Sequence, residues 1–455
     1  MPARKTAVSS GRKAPTSVSI RMYNVGFGDC FLLTFLYATK ERYMLIDYGS
    51  TAAPKGLRAG YMAEVAKDIK SRCNGKLDVL VETHRHRDHI SGFTTQGEAT
   101  GKAIASLEPD HVIQPWTEDP DAKRDAMTAT TTLRKSGAAV GKQLTAHFLG
   151  SLEDMHRVAR AVDHLTRTGA IYAGSETLRQ MAFLGQNNLK NLSAVNNLIA
   201  MGKEGEAHYV NAGMQLNSLL PGVRITVLGP PTLKQSETIR RQRAKDADEF
   251  WQFRSFWASQ RLAADAMAKP IHSRLPPTFA GHPNTAHPPN VRWFIEQSRR
   301  IHADQTLEIV RDLDSVMNNT SVILLFEIGN RKLLFPGDAQ IENWAYALQN
   351  KKWCELLKDV NLYKVGHHGS LNATPKSLWK LFRHKGDEHV HDRLETLCST
   401  KAGKHGSTKS GTEVPRTVLV KELQTNSTFS STELYKAPDK LSRLVTIDVS
   451  GRKNR

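Results

Sequence analysis

Residues 77–92 read Leu-Asp-Val-Leu-Val-Glu-Thr-His-Arg-His-Arg-Asp-His-Ile-Ser-Gly, an apolar run followed by a dense group of polar side chains. Residues 77–82 have the composition of a buried parallel strand. Open α/β folds place their sites at the carboxyl ends of such strands. The potential metal ligands that follow are His84, His86, Asp88 and His89. The stretch therefore predicts an α/β fold with a metal centre at the end of this strand.

The spacing of these four residues suits two metal ions. Side chains alternate along extended backbone, so His84 and His86 project to the same side. Asp88 and His89 follow where the chain turns into a helix, and they form a second pair. The alternative, a solvated histidine-rich loop, does not explain why so many ligands follow an apolar strand. One segment is therefore expected to supply ligands to a dinuclear site.

Further motifs follow in a fixed order along the chain. They are 21–30 (RMYNVGFGDC), 44–49 (MLIDYG), 318–325 (NNTSVILL), 333–339 (LLFPGDA) and 362–370 (LYKVGHHGS). With the His-x-His-x-Asp-His motif at 84–89, they resemble the metallo-β-lactamase superfamily. The resemblance is to the branch typified by the hydrolase domain of the DNA-uptake channel protein of competent bacteria. The matched pieces span about residues 18–110, 220–232 and 316–450.

The resemblance implies an α/β fold, namely the αββα metallo-β-lactamase sandwich with helical insertions. Two mixed β-sheets would face each other, with helices outside and metals at one rim. The 455-residue chain exceeds the ~250–300 residues at which single cores stop growing, so we expect either one catalytic domain with insertions, over residues 18–450, or two domains. The insertions are expected at about 118–210 and 232–315, residues 1–17 are expected to be a disordered basic tail, and residues 451–455 form a second basic tail.

The resemblance also implies two divalent metal ions, with Zn or Mn as the expected elements. The ligands that it implies are His84, His86, Asp88, His89, Asp338 and His368. The first two would bind one ion and the next two the other, while Asp338 would bridge them. A carboxylate suits a bridge because its two oxygens can bind both ions.

Asp88 and His367 are the residues that the resemblance marks as catalytic. His367 would contact phosphate or donate a proton, and the reverse assignment of His367 and His368 stays open. Lys364 and Ser370 flank this pair and are expected to bind a substrate oxygen. The alternatives for these two residues are a strand lysine and a helix-capping serine.

Two histidines that most members of the superfamily carry have no clear counterpart here. For the first, which precedes the bridging aspartate, the candidates are His147, His156, His164 and His208. For the second, near the carboxyl end, Val414 stands where the branch has histidine, and His405 is the candidate substitute. At this second position the chain departs from the family pattern, so the completeness of the ligand set stays open.

These observations predict a metal-dependent hydrolase that uses a dinuclear site and metal-bound hydroxide. The expected substrate is a phosphodiester, in a nucleic acid or a nucleotide, because two ions can stabilise both the attacking and the leaving oxygen. The same ligand set serves hydrolysis of a non-phosphate ester, lactone or thioester, so that alternative stays open. A non-catalytic metal-binding scaffold or interaction protein is the third interpretation.

The charge balance favours a polyanionic partner. The chain has 63 Lys and Arg against 45 Asp and Glu, which gives a net charge of +18. Such an excess favours nucleic acid or nucleotide, although a solvated basic surface is an equally simple explanation. Within the insertion at 232–315, we expect Arg240, Arg241 and Arg243 to contact the substrate. The same insertion, with its three tryptophans, would otherwise serve as a lid or dock a protein partner.

No apolar run approaches the ~18–20 residues that a membrane helix needs, so no membrane span is expected. The amino-terminal residues lack the apolar core of a secretion signal. The four cysteines are widely spaced and form no CxxC pair, which is typical of reduced thiols. We therefore expect a cytoplasmic location.

Overall fold

The structure of this chain is a computed structural model. It describes residues 14–54, 56, 60–122, 128–129, 159–160, 162–168, 175–187, 191–232, 234–235, 314, 317–406, 408, 412–435 and 441–449. The strands are β1 (Ser17–Tyr23), β2 (Cys30–Leu36), β3 (Glu41–Tyr48), β4 (Val79–Val81), β5 (His111–Pro115), β6 (Glu206–Val210), β7 (Val223–Gly229), β8 (Ile323–Ile328), β9 (Arg331–Phe335), β10 (Leu362–Lys364), β11 (Glu395–Cys398), β12 (Thr428–Ser431) and β13 (Ser442–Asp448).

The helices with defined bounds within these residues are α1 (Tyr61–Arg72), α2 (Arg87–Ile90), α3 (Thr100–Ala105), α4 (Ser175–Asn187), α5 (Leu192–Glu204), α6 (Ile341–Ala347), α7 (Lys351–Lys358), α8 (Lys376–Leu381) and α9 (Thr417–Asn426). Helices and strands alternate along most of the chain, as is typical of α/β proteins. Strands β4 and β10 are buried along their whole length, so they must be covered on both faces.

The strands form two mixed sheets. The first has seven strands in the order β13-β1-β2-β3-β4-β5-β6, antiparallel from β13 to β3 and parallel from β3 to β6. The second has six strands in the order β12-β11-β10-β9-β8-β7. In this sheet β7, β8 and β9 are antiparallel, and β9 to β12 are parallel. The α/β class that the sequence predicts is confirmed.

One apolar core joins the two sheets. Its buried side chains come from both, including Ile20 and Phe31 of the first sheet and Phe326 and Phe335 of the second. The rings of Phe31 and Phe335 meet edge to face, with 5.8 Å between their centroids. Strand residues alternate between faces, so the same strands have a second apolar face to cover. Two further cores form there.

Helices cover the outer faces. Against the first sheet pack α1, α3 and α5, whose buried residues share a core with Leu32, Leu45 and Leu80. Against the second sheet pack α6, α7, α8 and α9. In α1, Val65 and Ile69 lie four residues apart on the face that meets the sheet. Helix, sheet, sheet and helix therefore follow one another as layers.

The predicted elements agree with the structure with small shifts at their ends. The alternating residues 17–23 form β1, and α1 begins at Tyr61 and ends at Arg72. The strand predicted at 77–82 shortens to β4. Asp78 immediately precedes β4; its carboxylate accepts from the backbone N–H of Tyr43, 2.7 Å away, and pairs with Arg42.

The first predicted insertion is shorter than the range 118–210. Its last part contains α5, which packs on the first sheet, and β6, which pairs in parallel with β5. These two elements belong to the layers described above. The insertion predicted at 232–315 lies outside the described residues except for 232, 234–235 and 314. Arg240, Arg241 and Arg243 and the three tryptophans of that segment lie outside the described residues too.

Within the described part of the chain, no helix is both long enough and apolar enough to cross a membrane.

Candidate metal centre

The ligand motif lies where the edges of the two sheets meet. After β4 the chain runs in extended form to His86 and enters α2 at Arg87. The carbonyl of Thr83 accepts a hydrogen bond of 2.9 Å from the backbone N–H of Val322, which immediately precedes β8 in the second sheet. Asp338 follows β9, and the two histidines 367 and 368 follow β10. The carboxyl ends of these strands therefore bring together segments that are far apart in the sequence.

Four buried side chains form one compact cluster at this edge. They are Asp88, His89, Asp338 and His368, and their ligand atoms all lie within 4.8 Å of one another. His368 Nε2 lies 3.0 Å from Asp88 Oδ2 and 3.3 Å from Asp338 Oδ2. His89 Nε2 lies 3.1 Å from Asp338 Oδ2. These are four of the six ligands that the sequence predicts.

Glycines of two sequence motifs allow the backbone of α2 to approach this closely. A Cβ atom on Gly49 would lie 2.4 Å from the backbone carbon of Asp88, and one on Gly28 would lie 2.6 Å from the carbonyl oxygen of Asp88. That same oxygen accepts a hydrogen bond of 3.0 Å from the backbone N–H of Asp29. Gly28, which precedes β2, and Gly49, which follows β3, thus allow α2 to lie close to the ends of these strands.

Asp47 orients His89 from behind. Its Oδ2 lies 2.8 Å from His89 Nδ1, and Thr83 donates to the same carboxylate through both its backbone N–H and its hydroxyl, each at 2.7 Å. Burial alone would lower the pKa of His89, but the carboxylates of Asp338, Asp47 and Asp88 outweigh it and hold the pKa well above the ordinary value. In this arrangement Nε2 of His89 faces the cluster.

The two adjacent histidines point to different surroundings. His368 Nδ1 donates to the carbonyl of Ser399 at 2.9 Å, which directs its Nε2 to the cluster. Burial opposes the charged ring, yet the carboxylates of Asp338 and Asp29 raise the pKa of His368 to about 10. His367 Nε2 lies farther out, 4.0 Å from Asp338 Oδ2. Burial lowers the pKa of His367, so its ring is neutral near pH 7.

Lys364 lies beneath the cluster and is 2% exposed. Its ammonium pairs with Asp29, lies 3.4 Å from Asp338 Oδ1 and donates to the carbonyl of Gly337 at 3.0 Å. This placement favours a structural role over contact with a substrate oxygen. Ser370 is half-buried in the turn that follows His368.

Opposite charges hold the two cluster carboxylates ionised. Burial alone would raise the pKa of each, but His89 and His368 lower the pKa of Asp88 to about 2. The same two rings, with Lys364, hold the pKa of Asp338 well below its ordinary value. Both side chains therefore present anionic oxygens to whatever occupies the cluster.

His84 and His86 form a separate pocket next to the cluster. His84 Nε2 lies 3.0 Å from His86 Nδ1, and burial, then His89 and His86, holds the pKa of His84 well below its ordinary value. Asn318 Oδ1 lies 3.1 Å from the same His86 Nδ1. Asp314 lies behind both residues: Oδ2 accepts from Asn318 Nδ2 at 3.0 Å, and Oδ1 lies 3.7 Å from His86 Nε2.

The other candidate histidines are placed differently. His405 pairs with Val414 in a β-bridge, which puts it beside the position where the branch has histidine. Its ring lies 5.9 Å from that of His367, centroid to centroid. His164 is exposed, and His208 packs against His111, away from the cluster. His147 and His156 lie outside the described residues.

The donor set fits divalent metal ions. Asp88 Oδ1 and His89 Nε2 are buried and make no hydrogen bond of acceptable geometry, although His89 Nε2 has carboxylate oxygens nearby. Orphaned polar atoms of this kind are costly unless an ion satisfies them. Carboxylate oxygens and imidazole nitrogens are the ligands that Zn, Mn and Fe accept.

No protein-family model and no curated protein matches the chain. The functional assignment therefore depends on the fold and on the chemistry of the site.

Proposed function

We propose that this protein is a metal-dependent hydrolase with the metallo-β-lactamase fold and a dinuclear metal site. The observation that carries the proposal is the buried cluster of Asp88, His89, Asp338 and His368, which draws its members from the strand ends of both sheets. The layered arrangement of two mixed sheets between helices supports the fold assignment. The order of the sequence motifs supports it as well.

The chain's own residues prepare the site in two ways. Asp338 Oδ2 lies within 3.3 Å of the ring nitrogens of both His89 and His368, so its carboxylate can bind an ion that this cluster holds. Lys364 and Asp29 lie behind it and fix the side on which its free oxygen points. Bound divalent ions would polarise an ester and lower the pKa of a water molecule, which makes a nucleophile available near neutral pH.

His367 is placed to contact the substrate. Gln340 Nε2 lies 3.5 Å from His367 Nδ1 and donates toward it, so the ring proton is assigned to Nε2. That nitrogen faces the cluster from its outer edge, at 4.0 Å from Asp338. A neutral ring with a proton on Nε2 donates a hydrogen bond to a substrate oxygen, and it can stabilise negative charge that develops on that oxygen.

The substrate class that we propose is a phosphodiester in a nucleic acid or nucleotide. The net charge of +18 favours polyanions, and a two-ion site stabilises both the attacking and the leaving oxygen of such an ester. Affinity for short single-stranded DNA should fall steeply with added salt, since each neutralised phosphate releases a counterion. The salt slope is a binding measurement that does not depend on turnover.

A chelator experiment tests the hydrolase assignment. Purified protein is assayed with a bis-nitrophenyl phosphate diester before and after chelation, and again after addition of Mn or Zn. We expect activity to disappear with the metal and to return with it. A carboxylic ester and a thioester serve as comparison substrates. Faster turnover of either comparison substrate would overturn the phosphodiester assignment.

Variants of the cluster provide the matched comparison. Asp88→Asn and Asp338→Asn should abolish turnover. The control is Asp387→Asn, which neutralises an exposed carboxylate outside the cluster and should leave turnover unchanged. Equal rates with and without chelator would contradict the metallohydrolase proposal. In that case the non-catalytic scaffold would become the better explanation.

A further inference from the structure

The pocket of His84 and His86 is short of the usual ligand types. Among the residues that the structure describes, His84 and His86 belong to no group of three or more histidine, cysteine and carboxylate side chains that could hold an ion. Two imidazoles alone hold a divalent ion weakly, since protein sites generally supply three or more ligands. A further donor must come from another residue type.

Asn318 provides an oxygen in the required place. Its Oδ1 lies 3.1 Å from His86 Nδ1, and that nitrogen lies 3.0 Å from His84 Nε2. Two ligand atoms that lie ~2.1 Å from one ion at right angles are about 3.0 Å apart. The spacing of these atoms is therefore that of neighbouring ligands around a common ion.

Asp314 determines which end of the Asn318 amide faces the histidines. Its carboxylate only accepts hydrogen bonds, and it accepts from Asn318 Nδ2 at 3.0 Å. The amide oxygen must then point the other way, toward His86 Nδ1. The second carboxylate oxygen of Asp314 lies 3.7 Å from His86 Nε2, on the side of the ring away from the pocket. The Asp314 carboxylate therefore lies next to both Asn318 and His86, on the side away from the pocket.

The chemistry of the three atoms calls for a proton or a cation between them. Imidazole nitrogens that bind metal present lone pairs, and an amide oxygen also presents lone pairs. Lone pairs repel when they converge on one point without a proton or a cation. Asn318 and Asp314 are both buried, so water cannot readily relieve that repulsion.

We propose that Asn318 is the third protein ligand of the first metal ion, bound through Oδ1, and that Asp314 is its positioning residue. This inference rests on the proposed function and deepens it. A site with two imidazoles and an amide oxygen is harder than one with three imidazoles, so it favours Mn over Zn. Asn318 therefore occupies the role for which the sequence offered only histidines.

Metal content and electron paramagnetic resonance test this inference without an activity assay. The full chain is loaded with Mn and dialysed, and the ions are counted. We expect two per chain in the starting protein, with the spectrum of a coupled pair. Asn318→Ala should lose one ion and show the spectrum of isolated Mn, while Asn318→His should keep both pockets and shift the preference toward Zn.

Exchange of the two partners supplies a rescue test. Asp314→Asn alone should weaken the first ion ~10–100-fold, as loss of an outer partner generally does. The double variant Asn318→Asp, Asp314→Asn reverses the hydrogen bond between the side chains and keeps an oxygen toward His86. We expect it to recover the first ion. A merely structural role for the pair would not predict recovery of metal content.

A surface cluster must be removed before ions are counted. His111, Glu206 and His208 lie on β5 and β6, with 3.1 Å between His111 Nδ1 and His208 Nε2. All measurements are therefore made in a His111→Ala background, with thermal unfolding as the check of folding. Two ions in Asn318→Ala would overturn the inference and leave the hydrolase proposal intact. No ion in the starting protein would overturn the proposed function itself.

Discussion

His89 Nδ1 lies 2.8 Å from Asp47 Oδ2, and this contact joins α2, the helix that contains His89, to the end of β3. The carboxylate fixes the tautomer of the ring, because a proton on Nδ1 leaves Nε2 free to face the cluster. Asp47 itself is held by two hydrogen bonds from Thr83. The orientation of His89 therefore depends on a residue outside the cluster of Asp88, His89, Asp338 and His368.

Replacement of Asp47 by Asn tests that dependence. Asn tolerates the left-handed backbone at this position, where φ is 56°, so the turn should survive. The amide cannot accept from both Thr83 and His89 as the carboxylate does, so the ring loses its restraint. We expect metal affinity at the Asp88–His89 pocket to fall ~10–100-fold, measured by titration calorimetry. Unchanged affinity with an unchanged fold would show that packing alone orients the ring.

Gly49→Ala tests the close approach of α2. The added methyl would meet the backbone of Asp88 at 2.4 Å, and backbone cannot give way as a flexible side chain does. We expect a loss of about 2–4 kcal/mol in the free energy of unfolding, with reduced metal content. Gly75→Ala is the control, because its φ of 77° is strained but nothing lies within 4 Å. It should cost about 1–2 kcal/mol and leave metal content unchanged.

Local sequence predicted much of the site because its chemistry is concentrated in short segments. The motif at 84–89 follows a strand whose composition requires burial on both faces, so its position at a strand end followed from period-two alternation. The order of motifs placed Asp338 and His368 at two further strand ends. The choice of His368 over His367 as the cluster member agrees with the distances to Asp338.

Contacts between distant segments could not be predicted in this way. Asn318 lies 232 positions from His86, and its amide orientation depends on Asp314, which no motif includes. Asp29 and Asp47 belong to motifs that the sequence shows. Their contacts with Lys364 and His89, however, form only when β1, β2 and β3 pair in the sheet. The helical interpretation of 118–210 failed at β6, the edge strand of the first sheet, because its parallel pairing with β5 joins segments that are far apart in the sequence.

Glu395, at the start of β11, predicts a pH dependence of stability. Burial, opposed by Arg443 and Arg393, raises the pKa of Glu395 from its ordinary 4.5 to about 7. Between these values the folded chain keeps a proton that the unfolded chain releases, so this stability is full below pH 4.5 and lost as pH rises through 7.

Glu395→Gln removes the ionisable group and should flatten this trend. Allowing for partial exposure, we expect the variant to gain about 1–2 kcal/mol on the parent between pH 5 and pH 8, in urea unfolding. Glu388→Gln removes the same charge from an exposed position and should show no such change. Parallel stability curves for Glu395→Gln and the parent would contradict the burial argument.

The two adjacent histidines should separate metal binding from turnover. His368 Nε2 lies within 3.3 Å of both cluster carboxylates, so His368→Ala should lose one ion as well as activity. His367 lies at the edge of the cluster and 4.0 Å from Asp338, so His367→Ala should keep both ions. Its turnover should nevertheless fall by about 100-fold or more, the usual cost of removing a donor that stabilises developing negative charge. His367→Gln keeps a donor at a similar place and should recover part of the substrate affinity and of the turnover. Metal counts and steady-state rates on the same preparations decide the matter, because loss of an ion from His367→Ala with retention in His368→Ala would reverse the two assignments.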